Sequence, residues 1–469
     1  MTKRLSEFLF DIVKTYDVRG LVDTQLTPEV SRALGAAFVD VISGPGVDVV
    51  VGHDMRDSSP ILAAAFIDGV LAQGGGVKNI GLCSTDMVYF ASGSWNLPAV
   101  MFTASHNPAS YNGIKFSRAL AKGISMDTGL SDIRDRAAEF LQGSRAYGAG
   151  SGEVLSHTVL ADYAAHLTSL VPLEGERPLR IVVDAANGMA GLTVPAVFGN
   201  AHGIEIIPMY FELDGSFPNH EANPLEPANL VDLQAAVLST GADLGLAFDG
   251  DADRCFVIDE LGKPVTPSAV AAMVAKREII RVRISGETGP IPVLHNLLCS
   301  RTVAEIIAEN GGVPIRTRVG HSLIKDQMKE TGAVFGGEHS AHYYFAEFWG
   351  ADNGMLAALH VIAEVRSRRE ALSTIAQEYS RYVESGEINT KVEDQQAVIA
   401  QIREVFAGRG ESDSLDGLTI SGNTPEGWWW LNVRGSNTEP LLRLNVEAEI
   451  TSLMHSVRDE ALALIRATG

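Results

Sequence analysis

The sequence predicts an α/β protein: three similar α/β domains in succession, then a C-terminal α+β domain. Two patterns and one magnitude carry that prediction. From residue 47 to about 335, short apolar runs alternate with longer amphipathic stretches, the rhythm of βαβ units building mostly parallel sheets under helices. Beyond residue 386 the pattern changes to strand alternation around 428–432 and 441–446, closed by a helix. The length, 469 residues, exceeds what one hydrophobic core holds and sets a prior of about three to four domains.

The elements follow in order. Strands are expected over 47–52, 77–82 and 98–102, with helices over 60–73 and 128–142. A Gly- and Ser-rich stretch, 143–152, marks the first boundary. The rhythm restarts with a strand at 179–184, running into a glycine-bearing loop, Asn187-Gly188-Met189-Ala190-Gly191, that opens a helix. Further strands are expected at 203–208, 244–248 and 255–259. A third cycle has strands at 292–295, 313–318 and 333–335, with a helix at 301–310. A long helical stretch should then run from residue 351 to about 379.

Hydrophobic residues make up 46% and charged residues 20%, the balance of a folded protein. A net charge of −21 and the lack of any Lys/Arg run argue against nucleic acid and anionic membranes as partners. Three widely spaced cysteines, Cys83, Cys255 and Cys299, fit no metal spacing and suggest a reducing compartment. Charge appears too early for a secretory signal, and no run of 18 apolar residues offers a membrane span. A cytoplasmic location is expected.

Two stretches carry chemistry. The strand at 98–102 ends abruptly in Thr103-Ala104-Ser105-His106-Asn107-Pro108. This puts a hydroxyl, an imidazole and an amide on a loop at a strand's end, where α/β proteins hold their ligands. A plain Asn-Pro turn reads the same residues. Further on, Asp249-Gly250-Asp251-Ala252-Asp253-Arg254 places three carboxylates at alternate positions, able to converge on one Mg²⁺ or Ca²⁺. An EF-hand is the nearest rival, since Glu260 falls at loop position twelve. Arg254 instead of Gly at position six, and strand-like flanks, argue against it.

Together, and in this order, these two loops resemble the α-D-phosphohexomutase superfamily, in its phosphomannomutase/phosphoglucomutase branch. Gly337-Glu338-His339-Ser340-Ala341-His342 is similar to the family's sugar-recognition loop. Arg434-Gly435-Ser436-Asn437-Thr438-Glu439-Pro440 is similar to its phosphate-binding loop. With Tyr16-Asp17-Val18-Arg19-Gly20 near the start, the resemblance spans essentially the whole chain. It implies four domains around a central cleft, the first three with mixed sheets, divided at 1–150, 151–260, 261–375 and 376–469.

The resemblance also implies roles. Ser105 would carry a phosphoryl group, with Mg²⁺ held by Ser105, Asp249, Asp251 and Asp253. The carboxylates, a phosphate dianion and the metal still sum to about −3, so cations are needed nearby; Arg254, Lys115 and Arg19 are the candidates. Tyr16, Arg19, Arg254, His321, Glu338, Ser340 and His342 would contact the sugar phosphate, and Arg434, Ser436, Asn437 and Thr438 its distal phosphate. Lys325 and Arg443 are weaker candidates. For the general acid/base, Lys115, Arg19, His106 and His342 all remain open, because spacing does not choose among them.

The implied activity is interconversion of hexose 6-phosphate and hexose 1-phosphate, mannose and glucose both. Hexose 1,6-bisphosphate would be the intermediate and activator, in a monomer or weak homo-oligomer. A glucosamine- or N-acetylglucosamine-phosphate mutase and a metal-dependent sugar phosphatase are the alternatives.

Overall fold

The first part of the chain forms twelve strands, of which β2, β4, β8 and β10 arise where apolar runs end in glycine or polar residues. In order they are β1 (Val18–Leu21), β2 (Asp48–His53), β3 (Gly76–Leu82), β4 (Ala99–Phe102), β5 (Tyr111–Arg118), β6 (Lys122–Gly123), β7 (Val154–Ser156), β8 (Leu179–Asp184), β9 (Ile204–Met209), β10 (Leu244–Phe248), β11 (Cys255–Asp259) and β12 (Pro264–Val265). The structure, a computed structural model, describes residues 5–150, 152–199, 201–435 and 441–467, with side chains at all of these but 321 and 322. The chain divides into two compact units. The first holds residues 1–265, 325–335 and 340–373, and the second 266–324, 336–339 and 374–469.

The first unit contains two mixed sheets. One runs β1-β5-β4-β2-β3-β7 with β6 on β5, and the other β12-β11-β10-β8-β9. In the first sheet β4, β2, β3 and β7 are parallel, while β5 lies antiparallel to both β4 and β1. In the second, β9, β8 and β10 are parallel and β11 turns back antiparallel on β10, pairing Phe248 with Cys255. The mixed sheets match the expectation from the resemblance and correct the mostly parallel reading of the βαβ rhythm. Strand β5 escaped that rhythm because its Asn112 and Ser117 are buried and Lys115 half-buried, and buried polar residues erase the alternation that announces a strand.

The core under the first sheet is aromatic. Phe102, the last residue of β4, meets the Phe66 ring edge-on at 5.6 Å, and Phe38 stacks on Phe116 of β5 at 5.5 Å. These rings fix the end of β4, and therefore the start of the loop that follows it.

The long helix expected from residue 351 is in fact two, Gly354–Ser367 and Leu372–Gln377. The break has a tertiary cause. The Arg177 Nη1 donates to the carbonyls of Val365 (3.1 Å), Arg368 (3.0 Å) and Glu370 (2.8 Å), satisfying groups a continuing helix would have used itself. Also in this unit, strand Tyr343–Phe345 pairs antiparallel with Ala351–Asp352.

In the second unit, strand Ile291–Asn296 pairs parallel with Gly312–Thr317. The C-terminal part is an antiparallel sheet of Glu411–Asp413, Leu418–Thr424, Gly427–Gly435 and Leu441–Ala448, with two short strands, Val383–Glu384 and Ile388–Lys391, on its far edge. Helix Thr451–Ala467 covers one face with Leu453, Met454, Val457, Leu462 and Ile465. This is the α+β arrangement expected for the end of the chain.

Candidate active site

The loop after β4 and the loop between β10 and β11 meet inside the first unit. Ser105 is 4% exposed, and its Oγ donates to Asp249 Oδ2 at 2.8 Å. The approach is close because residue 250 is glycine: a Cβ there would lie 2.5 Å from the Ser105 carbonyl oxygen. Ser105 itself adopts φ +49°, a left-handed conformation that costs a non-glycine residue about 1–2 kcal/mol. The Thr103 hydroxyl helps to hold it by accepting from Ser105 N at 2.9 Å.

The stronger clamp is Arg56. Its guanidinium is buried and donates to three carbonyls of this loop, Ser105 (3.0 Å), Asn107 (2.6 Å) and Pro108 (2.9 Å), and to that of Tyr111 at the start of β5 (3.0 Å). Asp54 supports it through an Nε–Oδ2 contact of 3.3 Å. Arg19 adds a second tie, from Nη1 to Ala104 O and to Asn107 Oδ1 at 2.6 Å, while its Nε rests on Asp17 at 2.8 Å. Sequence reasoning did not single out Arg56. Its signal was an arginine just past the end of β2, in Asp54-Met55-Arg56-Asp57, at the edge where an open α/β sheet binds ligands.

Asp249, Asp251 and Asp253 are buried and offer oxygens within 4.8 Å of one another. Three carboxylates so enclosed repel strongly in a low dielectric. Two cations answer them. Lys115, from β5, places Nζ 2.6 Å from Asp251 Oδ2 and 2.5 Å from Asp253 Oδ2. Arg254 sits 2.8–2.9 Å from Asp249 Oδ2 through Nη2 and Nε. Thr85 Oγ1, also missed from sequence, donates to Asp251 Oδ2 at 2.5 Å.

Burial, with the other two carboxylates against Arg254, pushes Asp249 up to about 7. Burial also acts to raise Asp251, yet the Lys115 ammonium overrides it and holds that carboxyl well below the ordinary range. Asp251 Oδ1 and Asp253 Oδ1 are nonetheless buried without a hydrogen bond. Unsatisfied anionic oxygens of this kind suit a hard divalent cation, so the residues present fit Mg²⁺. An EF-hand does not fit: β10 and β11 form a hairpin, and Glu260 is occupied by the amide and hydroxyl of Ser373.

Around this centre lie two histidines. His106 Nδ1 accepts from Arg254 Nη2 at 2.5 Å and lies 3.2 Å from Ser105 Oγ. Burial, together with Arg254 and Arg19, holds its imidazole neutral, well below the ordinary histidine range. His342 Nδ1 is 3.1 Å from Ser340 Oγ, and its Nε2 is 4.0 Å from Asp253 Oδ1. Asp352 adjoins the same pair of residues and is itself held by the buried Lys325 ammonium at 2.6 Å, over the Tyr89 ring.

The first unit therefore brings together Ser105, His106, Arg19, Lys115, Asp249, Asp251, Asp253, Arg254, Ser340 and His342. Tyr16 is half-buried two residues before β1. In the second unit Glu338 is buried, accepting from Asn296 Nδ2 and Gly320 N, both at 3.3 Å. Arg434 lies at the end of its strand, paired with Glu387 at 3.1 Å. Ser436, Asn437, Thr438 and the side chain of His321 lie outside the described residues.

Family models described as phosphoglucomutase/phosphomannomutase alpha/beta/alpha domains I, II and III and C-terminal domain match residues 11–140, 161–262, 266–382 and 387–464. The chain is 38% identical to the phosphohexose mutases of Xanthomonas campestris pv. campestris, over 96% of this chain and 98% of that one. It is 33% identical to a phosphomannomutase/phosphoglucomutase of Pseudomonas aeruginosa, over 95% and 94%. A crystal structure of a phosphoglucomutase/phosphomannomutase family protein from Burkholderia thailandensis superposes with a TM-score of 0.86 at 30% identity, covering 100% of this chain and 98% of that one.

Proposed function

Since the chain belongs to the phosphoglucomutase/phosphomannomutase family and is a phosphohexomutase, we propose that Ser105 is its phosphoryl carrier in interconverting hexose 6-phosphates and hexose 1-phosphates. The observation that carries this reading is the Ser105 hydroxyl, 2.8 Å from one of three buried aspartates and within reach of Arg254 at 3.4 Å.

Each half-reaction exchanges one P–O bond for another. A free sugar hydroxyl attacks the phosphorus carried on Ser105; the new P–O(sugar) bond forms as the P–Oγ bond breaks, and the hydroxyl proton is taken up by a base. The bisphosphate so formed turns round and returns its other phosphate to Ser105. Bound to Asp249, Asp251 and Asp253, Mg²⁺ would neutralise charge and polarise the phosphoryl oxygens. Arg254 and Lys115 supply the remaining positive charge. Arg56 and Arg19 keep the loop rigid, so that Oγ presents one geometry to either end of the sugar.

Of the four candidate proton carriers, His342 is best supported. Lys115 is held by two carboxylates, Arg19 is a strong base that stays protonated, and the Nδ1 lone pair of His106 is engaged by Arg254. The His342 imidazole is 20% exposed and borders the aspartate cluster. Glu338 and Ser340 would hold sugar hydroxyls that superpose in both orientations, and Arg434 the phosphate that is not reacting. We divide the chain into domains at 150, 260 and 375. No helix among the described residues is long and apolar enough to cross a membrane, and the three cysteines are buried free thiols, which supports the cytoplasm.

The test supplies mannose 1-phosphate or glucose 1-phosphate with catalytic hexose 1,6-bisphosphate and Mg²⁺, and measures kcat/KM for the 6-phosphate formed. Comparable values for both sugars are expected. Net release of inorganic phosphate instead, or a preference for glucosamine 1-phosphate in competition, would overturn the assignment.

A further inference from the structure

On the C-terminal sheet Arg434 and Arg443 are direct cross-strand partners. Like charges in that relation repel. One carboxylate resolves the conflict: Glu387 places Oε2 3.1 Å from Arg434 Nη2 and Oε1 3.2 Å from Arg443 Nη1. Its position is built. Glu384 pairs with Glu447 and Ile388 with Leu444, so residues 385–387 oppose only 445 and 446. Such a bulge re-aims a side chain. Gly386 takes the positive φ it requires, +68°, and Ser385 pins it by exchanging backbone and hydroxyl hydrogen bonds with Val446. Among the described residues, the Nε atoms of both arginines are buried without a hydrogen bond, so the pair keeps donor capacity that Glu387 does not use.

We propose that Glu387 is a resident anion at the phosphate anchor, holding the two guanidinium groups together and keeping their affinity for phosphate low enough for release in every cycle. The inference rests on Arg434 being that anchor. Two arginines and one carboxylate carry about +1, and a phosphate dianion takes the cluster to about −1. With a neutral residue at 387 the same cluster would reach zero and grip the phosphate harder. A mutase whose bisphosphate must let go and turn round gains nothing from that grip, because tight uniform binding lowers KM without raising kcat.

The experiment compares the full-length enzyme with Glu387→Gln and Glu387→Asp, using inorganic phosphate as competitive inhibitor and hexose 1-phosphate as substrate. In Glu387→Gln, KM and the inhibition constant of phosphate should both fall about tenfold, equivalent to about 1.4 kcal/mol, and kcat should fall with them. Glu387→Asp, which keeps the charge, should stay near wild type. Unchanged or raised constants in Glu387→Gln overturn the proposal, as does an equal fall of both constants in Glu387→Asp, which would show that the negative charge is not what limits phosphate affinity. Arg434→Ala separates the two readings. If it leaves phosphate inhibition unchanged, the anchor assignment itself fails; if it weakens inhibition while Glu387→Gln does nothing, only the resident-anion proposal falls.

Discussion

The two charged centres of this chain are built on opposite plans. Around Ser105 the carboxylates and the guanidinium nearest its hydroxyl are nearly inaccessible, with side chains of Asp249, Asp251, Asp253 and Arg254 at 3% exposure or less. Around Arg434 the partners are open, with Glu387 at 28% and Arg443 at 32%. Buried pairs are costly to disturb and hold geometry; exposed pairs are screened, weak and exchangeable. The phosphoryl transfer proposed for Ser105 needs the first plan, because in-line transfer tolerates little misplacement. The anchor proposed at Arg434, which must accept either phosphate and then release it, needs the second.

The contrast breaks most completely at Ser105. Ser105→Ala should abolish turnover and phosphoenzyme formation from hexose 1,6-bisphosphate, while thermal unfolding stays near wild type; retained turnover would remove Ser105 from the chemistry. Next comes its clamp. Arg56→Met leaves Asp54 buried and four carbonyls without their donor, and losing one partner of a buried pair costs about 3–5 kcal/mol. Denaturant unfolding should show that loss together with a large fall in kcat. A variant of normal stability and activity would mean that the loop holds itself.

At the open centre the same kind of substitution should do far less to the fold. Arg434→Ala removes a partly exposed guanidinium, so stability should stay within about 0.5 kcal/mol of wild type. KM should rise about tenfold to a hundredfold, the loss of about 1.5–3 kcal/mol expected for a hydrogen bond to a charged group. An unfolded variant, or an unchanged KM, would erase the distinction between the two centres.

That distinction also governed what could be read from sequence. Ser105, the three aspartates and Arg254 stand in two short runs at the ends of apolar strands, so spacing and resemblance exposed them without any fold. Arg56 and Thr85 act through tertiary contact, with Ser105's loop and Asp251 respectively, and the sequence reading singled out neither; Lys325, which it did name, pairs with Asp352. The antiparallel strand β5 was hidden for a related reason: its polar residues find partners far along the chain, Lys115 on Asp251 and Asp253 and Asn112 on Ser58 and Ser59. The helix break at Ser367 depended on Arg177, almost two hundred positions away in the chain. Groupings of neighbours along the chain were legible, and groupings of neighbours in space were not.

The smallest effect concerns a second pair of like charges on the C-terminal sheet, one that no counter-ion among the described residues separates in the way Glu387 separates the arginines. Glu384 and Glu447 face each other across adjacent strands. Glu447 is satisfied by Ser300 Oγ, by Arg301 N at 3.1 Å and by Trp430 Nε1 at 2.6 Å. Burial, with the Glu447 charge, pushes Glu384 up to about 8 from an ordinary 4.5. Between those two values the unfolded chain has released the proton and the folded chain still holds it. The folded state therefore binds more protons, and stability falls as pH rises through this window and levels off above about 8. Glu384→Gln removes the titration. Its melting temperature should match wild type near pH 4.5 and exceed it by about 2–4 °C near pH 8.5, a modest gain because the side chain is only half-buried. Parallel melting curves across that range would show that Glu384 is ionised in the folded protein at neutral pH, and that this sheet tolerates paired anions as readily as it manages paired cations.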